Sequence, residues 1–342
     1  MKKIVLLFAA FAIIVLLASL SKNANHPIVA EEMTVAGVLA ELGDEPLPHL
    51  PDMNVPGVSA VVGKDLVLEG RTSLPGGGKS TRISQHFVCT ACHNVERDEP
   101  DPGVVDPMAR LKYDSEMGLP FVQGSALYGI VNRTNFYNGD YYKKYGTLVE
   151  PTRHNLREAI QLCATQCSQG RLLEAWELES ILAYLWTIDL KIYDLNLSPE
   201  ERLSINRALQ GKENAAQTIA LVKSKYLPGM PATFVDPPQD RQTGFSSTGN
   251  VETGKMIYEL SCLHCHENKR FSFLDLDNSK LSFEFLGRHF PTYSRYSAYQ
   301  VARYGTQPIP WKRAYMPQYT KEKMTEQMLE DLRAYIESRV NS

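Results

Sequence analysis

The chain of 342 residues has no surplus of positive charge: 36 Lys and Arg face 39 Asp and Glu, for a net charge of −3. No basic stripe stands out to neutralise phosphates, which argues against a nucleic-acid binder. Cysteine is sparse, six in all and none before Cys89, so no lipoprotein-type cysteine follows the N-terminal apolar run. That run also lacks an A-x-A-like cleavage site behind it. A phosphate loop is absent: "GGGKST" (Gly76 to Thr81) has Ser73 where G-x-x-x-x-G-K-[ST] needs its first glycine, and we expect a flexible loop.

What is present is ordinary globular composition, 43% hydrophobic and 22% charged. Two lysines precede an apolar run from Ile4 to Leu20, broken only by Ser19, the pattern of a signal peptide or membrane anchor. Cleaved or not, it predicts export, with the rest of the chain in the periplasm or tethered to the inner membrane. The expected organisation is residues 1–22 signal or anchor, 23–57 extended tether and 58–195 a first domain. A helical connector and linker at 196–248 and a second domain at 249–342 follow. Proline-rich "AELGDEPLPHLPDMNVPG" (40–57) and "YLPGMPATFVDPPQDRQTGFSSTG" (226–249) mark the breaks, and Ser198 before Pro199 is the expected cap of a connector helix.

"CTACH" (Cys89 to His93) and "CLHCH" (Cys262 to His266) both match C-x-x-C-H, the attachment signature of a c-type haem. Two thiols one short turn apart add to the haem vinyl groups, and the adjacent histidine reaches the iron. We therefore expect two covalent haems, held by Cys89, Cys92, Cys262 and Cys265, with His93 and His266 as axial ligands. A zinc site built from the four cysteines is the rival, but it needs no histidine after both pairs. "ESILAYL" (Glu179 to Leu185) and "EDLRAYI" (Glu330 to Ile336) echo each other, each in an amphipathic helical pattern behind a C-x-x-C-H. This order of parts suggests two copies of one small domain.

From about residue 249 to 340, "GKMIYELSCLHCH", "MP" and "EDLRAYI" resemble class I cytochromes c. The resemblance implies an all-α fold, two such haem domains in tandem with a helical connector, and Met316 as the second axial ligand in the later domain. Met256, Met324 and Met328 are expected as core, and His264 as exposed. The first domain has no Met-Pro; an offset of 330 − 179 = 151 puts the counterpart of Met316 at Thr165, between Cys163 and Cys167. The stretch from Tyr141 to Leu190, "YYKKYG…LREAIQLCATQCSQGRLLEAWELESILAYLW", resembles the first haem domain of dihaem thiosulfate dehydrogenases and, more loosely, the sulfur-oxidation cytochromes. There the cysteine at this turn is the distal ligand, which implies that role, and a catalytic one in an enzyme, for Cys163. The chain departs from the pattern in lacking the turn's arginine and in adding Cys167.

The residues themselves leave alternatives open. Cys163 and Cys167 are four apart, and on a regular helix their Cα atoms lie about 6 Å apart, within reach of a disulfide. His154, Met117 or an open iron are the other possibilities at haem 1. Six Lys and Arg between Arg133 and Arg171 (Arg133, Lys143, Lys144, Arg153, Arg157, Arg171) would suit an anionic sulfur substrate or neutralise haem propionates. Two functions follow as expectations: a dihaem carrier relaying single electrons to other cytochromes or a terminal oxidase, or an oxidoreductase acting on thiosulfate or a similar anion at haem 1. A dihaem peroxidase fits less well, since none of that family's other features is seen.

Overall fold

The computed structural model describes residues 31–307, 309 and 313–341, so the apolar run expected as signal or anchor lies outside the described residues. Within them the fold is all-α, as expected: helices and short turns, no strand, and two isolated bridges, Thr34 with Lys191 and Ser73 with Lys79. The second bridge closes the "GGGKST" loop. No described helix is long and apolar enough to cross a membrane.

The helices in chain order are α1 (Val35–Glu41), α2 (Ala60–Glu69), α3 (Pro107–Met117), α4 (Tyr141–Tyr145), α5 (Leu156–Leu162) and α6 (Ala175–Leu185). Then come α7 (Pro199–Leu209), α8 (Ala215–Lys223), α9 (Val251–Ile257), α10 (Leu263–His266), α11 (Lys280–His289), α12 (Ala298–Tyr304) and α13 (Glu326–Val340). Their starts follow local chemistry. Ser59 caps α2 and Asp106 caps α3 ahead of Pro107. Ser198 caps α7 ahead of Pro199 in a reciprocal box with Glu201.

The echo between the two closing helices is built into packing. In the first half α2 crosses α6 so closely that a Cβ on Gly63 would lie 1.8 Å from the Ser180 carbonyl oxygen and 2.9 Å from Tyr184 Cβ. In the second half a Cβ on Gly254 of α9 would lie 1.9 Å from the Asp331 carbonyl oxygen of α13 and 2.8 Å from Tyr335 Cβ. Ser180 and Asp331, like Tyr184 and Tyr335, differ by the offset of 151 read from the sequence. The apolar stripes face inward: Ile181, Leu182 and Leu185 are buried in one helix, and Leu329, Leu332 and Ile336 in the other. Met324 and Met328 are buried in the second core and Met256 packs against it.

Packing does not follow the expected boundaries. The segment anticipated as an extended tether at 23–57 contains α1, whose Val35 and Val38 are buried with Ile192 at the end of the first domain and with Ile205 and Val222 of the connector. α3 lies within the first domain's sequence, yet Leu111 and the following Phe121 are buried with Ile257, Tyr258 and Leu329 of the second half. The Phe121 N–H donates to the Leu260 carbonyl at 2.9 Å. Nor is the proline-rich stretch at 226–249 a free linker. Ala232 and Arg241 are buried, and Thr233 is held by Glu322, its N–H donating to Oε2 at 2.9 Å.

Candidate functional site

The first C-x-x-C-H sits in a tight turn in which the N–H groups of Cys92 and His93 both donate to the Cys89 carbonyl, at 3.2 and 3.1 Å. His93 Nδ1–H donates to the Ser125 carbonyl at 2.7 Å, which fixes the tautomer and leaves Nε2 without a proton. Gly124 makes this approach possible, because a Cβ there would lie 2.4 Å from the Cys92 carbonyl oxygen and 2.5 Å from His93 Nδ1. Burial pushes the pKa of His93 down, which favours the neutral imidazole that binds metals. Cys89, Cys92 and His93 wall a largely apolar cavity of about 250 Å³.

The same cavity is walled by Cys163 and Cys167. These two are the ends of a wide turn that continues α5, in which the Ser168 N–H donates five residues back to the Cys163 carbonyl at 2.9 Å. Such π-type turns replace the four-residue repeat locally and recur at functional sites. Thr165, the formal counterpart of Met316, is not on the cavity wall; its hydroxyl donates back to the Gln161 carbonyl at 3.0 Å. The cysteines flanking it face the cavity instead. Around Cys167 Sγ are the hydroxyls of Tyr145 at 3.4 Å and Tyr137 at 3.7 Å, and Tyr145 meets the Tyr315 hydroxyl at 3.1 Å. The hydrogen bond with the Cys163 thiol, joined by those tyrosines and Lys144, brings the Cys167 pKa down to about 6, and the same pairing pushes Cys163 up.

The second motif repeats the arrangement. His266 Nδ1–H donates to the Leu274 carbonyl at 3.2 Å, and burial again lowers its pKa. Cys262, Cys265, His266 and Met316 wall a second cavity, of about 670 Å³, with Leu274, Leu286 and Leu332 among its apolar lining. The Met316 backbone is held at both ends by Thr306. Its N–H donates to Thr306 Oγ1 at 2.7 Å, and its carbonyl accepts from the Thr306 N–H at 2.9 Å. Gly305, with φ of 64°, allows the close approach; a Cβ there would lie 2.5 Å from the Met316 carbonyl oxygen. Arg241, 5% exposed, reaches this cavity from the proline-rich stretch, its guanidinium 4.0 Å over the Tyr293 ring.

The two cavities adjoin. Phe87, Cys92, Gln123, Tyr315 and Pro317 wall both. Cys265 Sγ lies 3.8 Å from the Ala91 carbonyl oxygen, so the two motifs touch. His264 is part of this contact rather than exposed. It is half-buried against the Thr90–Ala91 backbone, and burial pushes its pKa down to about 4.

Other residues anticipated at the first cavity are elsewhere. His154 is exposed, its Nδ1 donating to the Thr134 carbonyl at 3.2 Å, and Met117 is 54% exposed at the end of α3; neither walls the cavity. Of the six basic residues, Arg133 and Lys144 line it. Arg157 pairs with Glu179, Arg171 with Glu177 and Lys143 with Asp140. The pattern gave no sign of Lys323, 3% exposed, which reaches the first cavity from the second half and pairs with Glu99 at 3.1 Å. Met230, also on this wall, stands in a proline-rich stretch whose pattern reads as a spacer. Among the described residues no three or more His, Cys, Asp or Glu are grouped to hold a metal ion by themselves. No protein-family model, curated protein or solved structure matches the chain.

Proposed function

We propose that the chain is an extracytoplasmic dihaem c-type cytochrome that passes single electrons between redox proteins through two covalently bound haems. The observation that carries this reading is the duplicated arrangement. Each C-x-x-C-H puts two cysteines and a histidine, its Nδ1 tied to a backbone carbonyl, on the wall of an apolar cavity, and the cavities share a wall.

The donor sets suit haem. Cys89 and Cys92, and Cys262 and Cys265, would form the thioethers; His93 and His266 would offer Nε2. Met316 would offer its thioether sulfur from the wall of the larger cavity, and Cys163 is the candidate sulfur ligand in the smaller one. Bound haem would supply one-electron chemistry in a low-dielectric setting, with the residues that hold it and neighbouring charges setting its potential. The chain's own contribution is to exclude water with Phe87, Phe136, Tyr315 and the leucines. It also holds both imidazoles neutral and brings Arg133, Lys144 and Lys323 to the first cavity and Arg241 to the second, as partners for carboxylates. Contact between the motifs shortens the path for an electron.

Intact mass of the exported protein tests this. We expect a gain of two haems, one lost in Cys89→Ala/Cys92→Ala and the other in Cys262→Ala/Cys265→Ala. Mature protein carrying no covalent haem would overturn the reading.

A second reading, oxidation of thiosulfate or a related sulfur anion at the first haem, is favoured by one observation. Lys144 Nζ lies 5.3 Å from the Tyr315 ring centre and donates to Gln318 Oε1 at 3.2 Å on the same wall as Cys167. Steady-state turnover of thiosulfate with a one-electron acceptor decides it; fully haem-loaded protein without turnover is a carrier.

A further inference from the structure

The two sulfurs beside the first C-x-x-C-H carry chemistry of their own. A regular helix holds side chains four apart about one turn apart and offset in direction. The wide turn at Cys163–Cys167 has more residues per turn and less rise per residue, so positions four apart come closer and nearer to alignment. Both cysteines wall the cavity, Cys167 also packing against Phe87, Ala91 and Tyr315, and both are free thiols. Cys167 alone has hydroxyl neighbours, Tyr145 and Tyr137, that can donate to sulfur and stabilise a thiolate.

We infer that Cys163 and Cys167 form a reversible dithiol–disulfide couple that controls which sulfur ligands the first cavity offers. Oxidation proceeds by exchange with an external disulfide, an oxidant of the class expected outside the cytoplasm. The Cys167 thiolate attacks one sulfur of R–S–S–R; a mixed disulfide forms, and the first R–S⁻ leaves and takes up the proton that Cys167 gave. The Cys163 sulfur then attacks Cys167 Sγ, its proton going to the second departing thiolate. One S–S bond has formed and one has broken, the protein has lost two hydrogens, and the external disulfide has become two thiols. Reduction by a dithiol runs the same steps backwards. In the dithiol state a sulfur is free to ligate metal, and in the disulfide state neither sulfur is a thiolate.

This control of ligation rests on the haem reading, whereas the couple itself does not. The test poises the full-length, haem-loaded protein at graded ratios of reduced to oxidised dithiothreitol, quenches it in acid, and alkylates it after unfolding. The tags on the peptide holding residues 163 and 167 are counted by mass, and the optical and electron-resonance spectra of the ferric protein are recorded at each ratio. We expect two tags at the reducing end, none at the oxidising end and a single transition between, with one haem's spectrum changing over the same range. Cys167→Ser should leave one tag at every ratio and abolish the spectral transition. Two tags throughout, or none even at the reducing end, would overturn the couple. A spectrum that ignores the transition, or that still shifts in Cys167→Ser, would overturn the control of ligation. Absence of covalent haem would strike the haem reading alone, since the tag count does not depend on it.

Discussion

Asp114, on α3, is fully buried, and neither carboxylate oxygen has a hydrogen-bond partner; Arg110 Nε is the nearest cation at 3.9 Å and is shared with Asp98. Burial, opposed by Arg110 and reinforced by Asp98, pushes its pKa up to about 8. A carboxyl whose folded pKa exceeds its unfolded value binds its proton more tightly in the native state, so stability falls as pH rises from about 4 to 8. Asp114→Asn removes that ionisation. It should raise stability by roughly 1–3 kcal/mol at pH 9 and have little effect at pH 4, measured by denaturant unfolding at both values. A gain of equal size at both would show that the carboxylate is not the cause. On the proposed haem reading, replacement of Met316 by Ala should lower the potential of one haem and leave the other unchanged, because a thioether ligand would raise the potential and Thr306 fixes the loop through its backbone. Redox titration of the two haems checks this. The chemistry-bearing residues of both motifs were readable because C-x-x-C-H is local in sequence. Lys323 and Arg241 were not, since each reaches its cavity from a segment whose own pattern says only that it is polar.

At the scale of elements, the repeat was legible and its mechanical basis was not. The two closing helices advertise themselves through inward-facing leucine and isoleucine stripes, but the glycines opposite them, Gly63 and Gly254, have no periodicity to betray them. Each permits a helix crossing that a methyl group would block by striking a backbone carbonyl that cannot move aside. Gly63→Ala and Gly254→Ala should therefore each cost about 1–3 kcal/mol or more. Hydrogen exchange should locate the loss in α2 and α6 for the first and in α9 and α13 for the second. Substitutions that leave exchange in their own helix pair unchanged would contradict the crossing. The turn at Cys163–Cys167 was hidden for another reason. "AIQLCATQC" has an unbroken helical pattern, and only the five-residue hydrogen bond from Ser168 to Cys163 reveals that the turn is wide.

The halves of the molecule are not independent beads on a tether, and α3 is the reason. The pattern "PMARLKYDSEM" tells that one face is buried but not against which partner, so a boundary drawn by sequence order assigns it to the wrong core. Leu111 and Phe121 complete the second half. The Phe121 ring is stacked with Tyr319 at 6.3 Å and capped by the Arg110 guanidinium at 4.8 Å, and its carbonyl accepts from the Tyr319 hydroxyl at 3.2 Å. Arg110 is held in turn by Asp98, at 2.6 Å, which ties the same contact to the first motif's loop. Phe121 stands two residues before Gln123, which walls both cavities, so this contact sits beside their shared wall. Phe121→Ala should cost about 3–5 kcal/mol. The loss should appear in the amides of α9 and α13 although the residue precedes them by more than a hundred positions. A chain beginning at residue 245 lacks both side chains and should unfold at much lower denaturant than the second half does within the full chain. Equal midpoints for the fragment and the intact protein would show that the second half folds as a unit without α3.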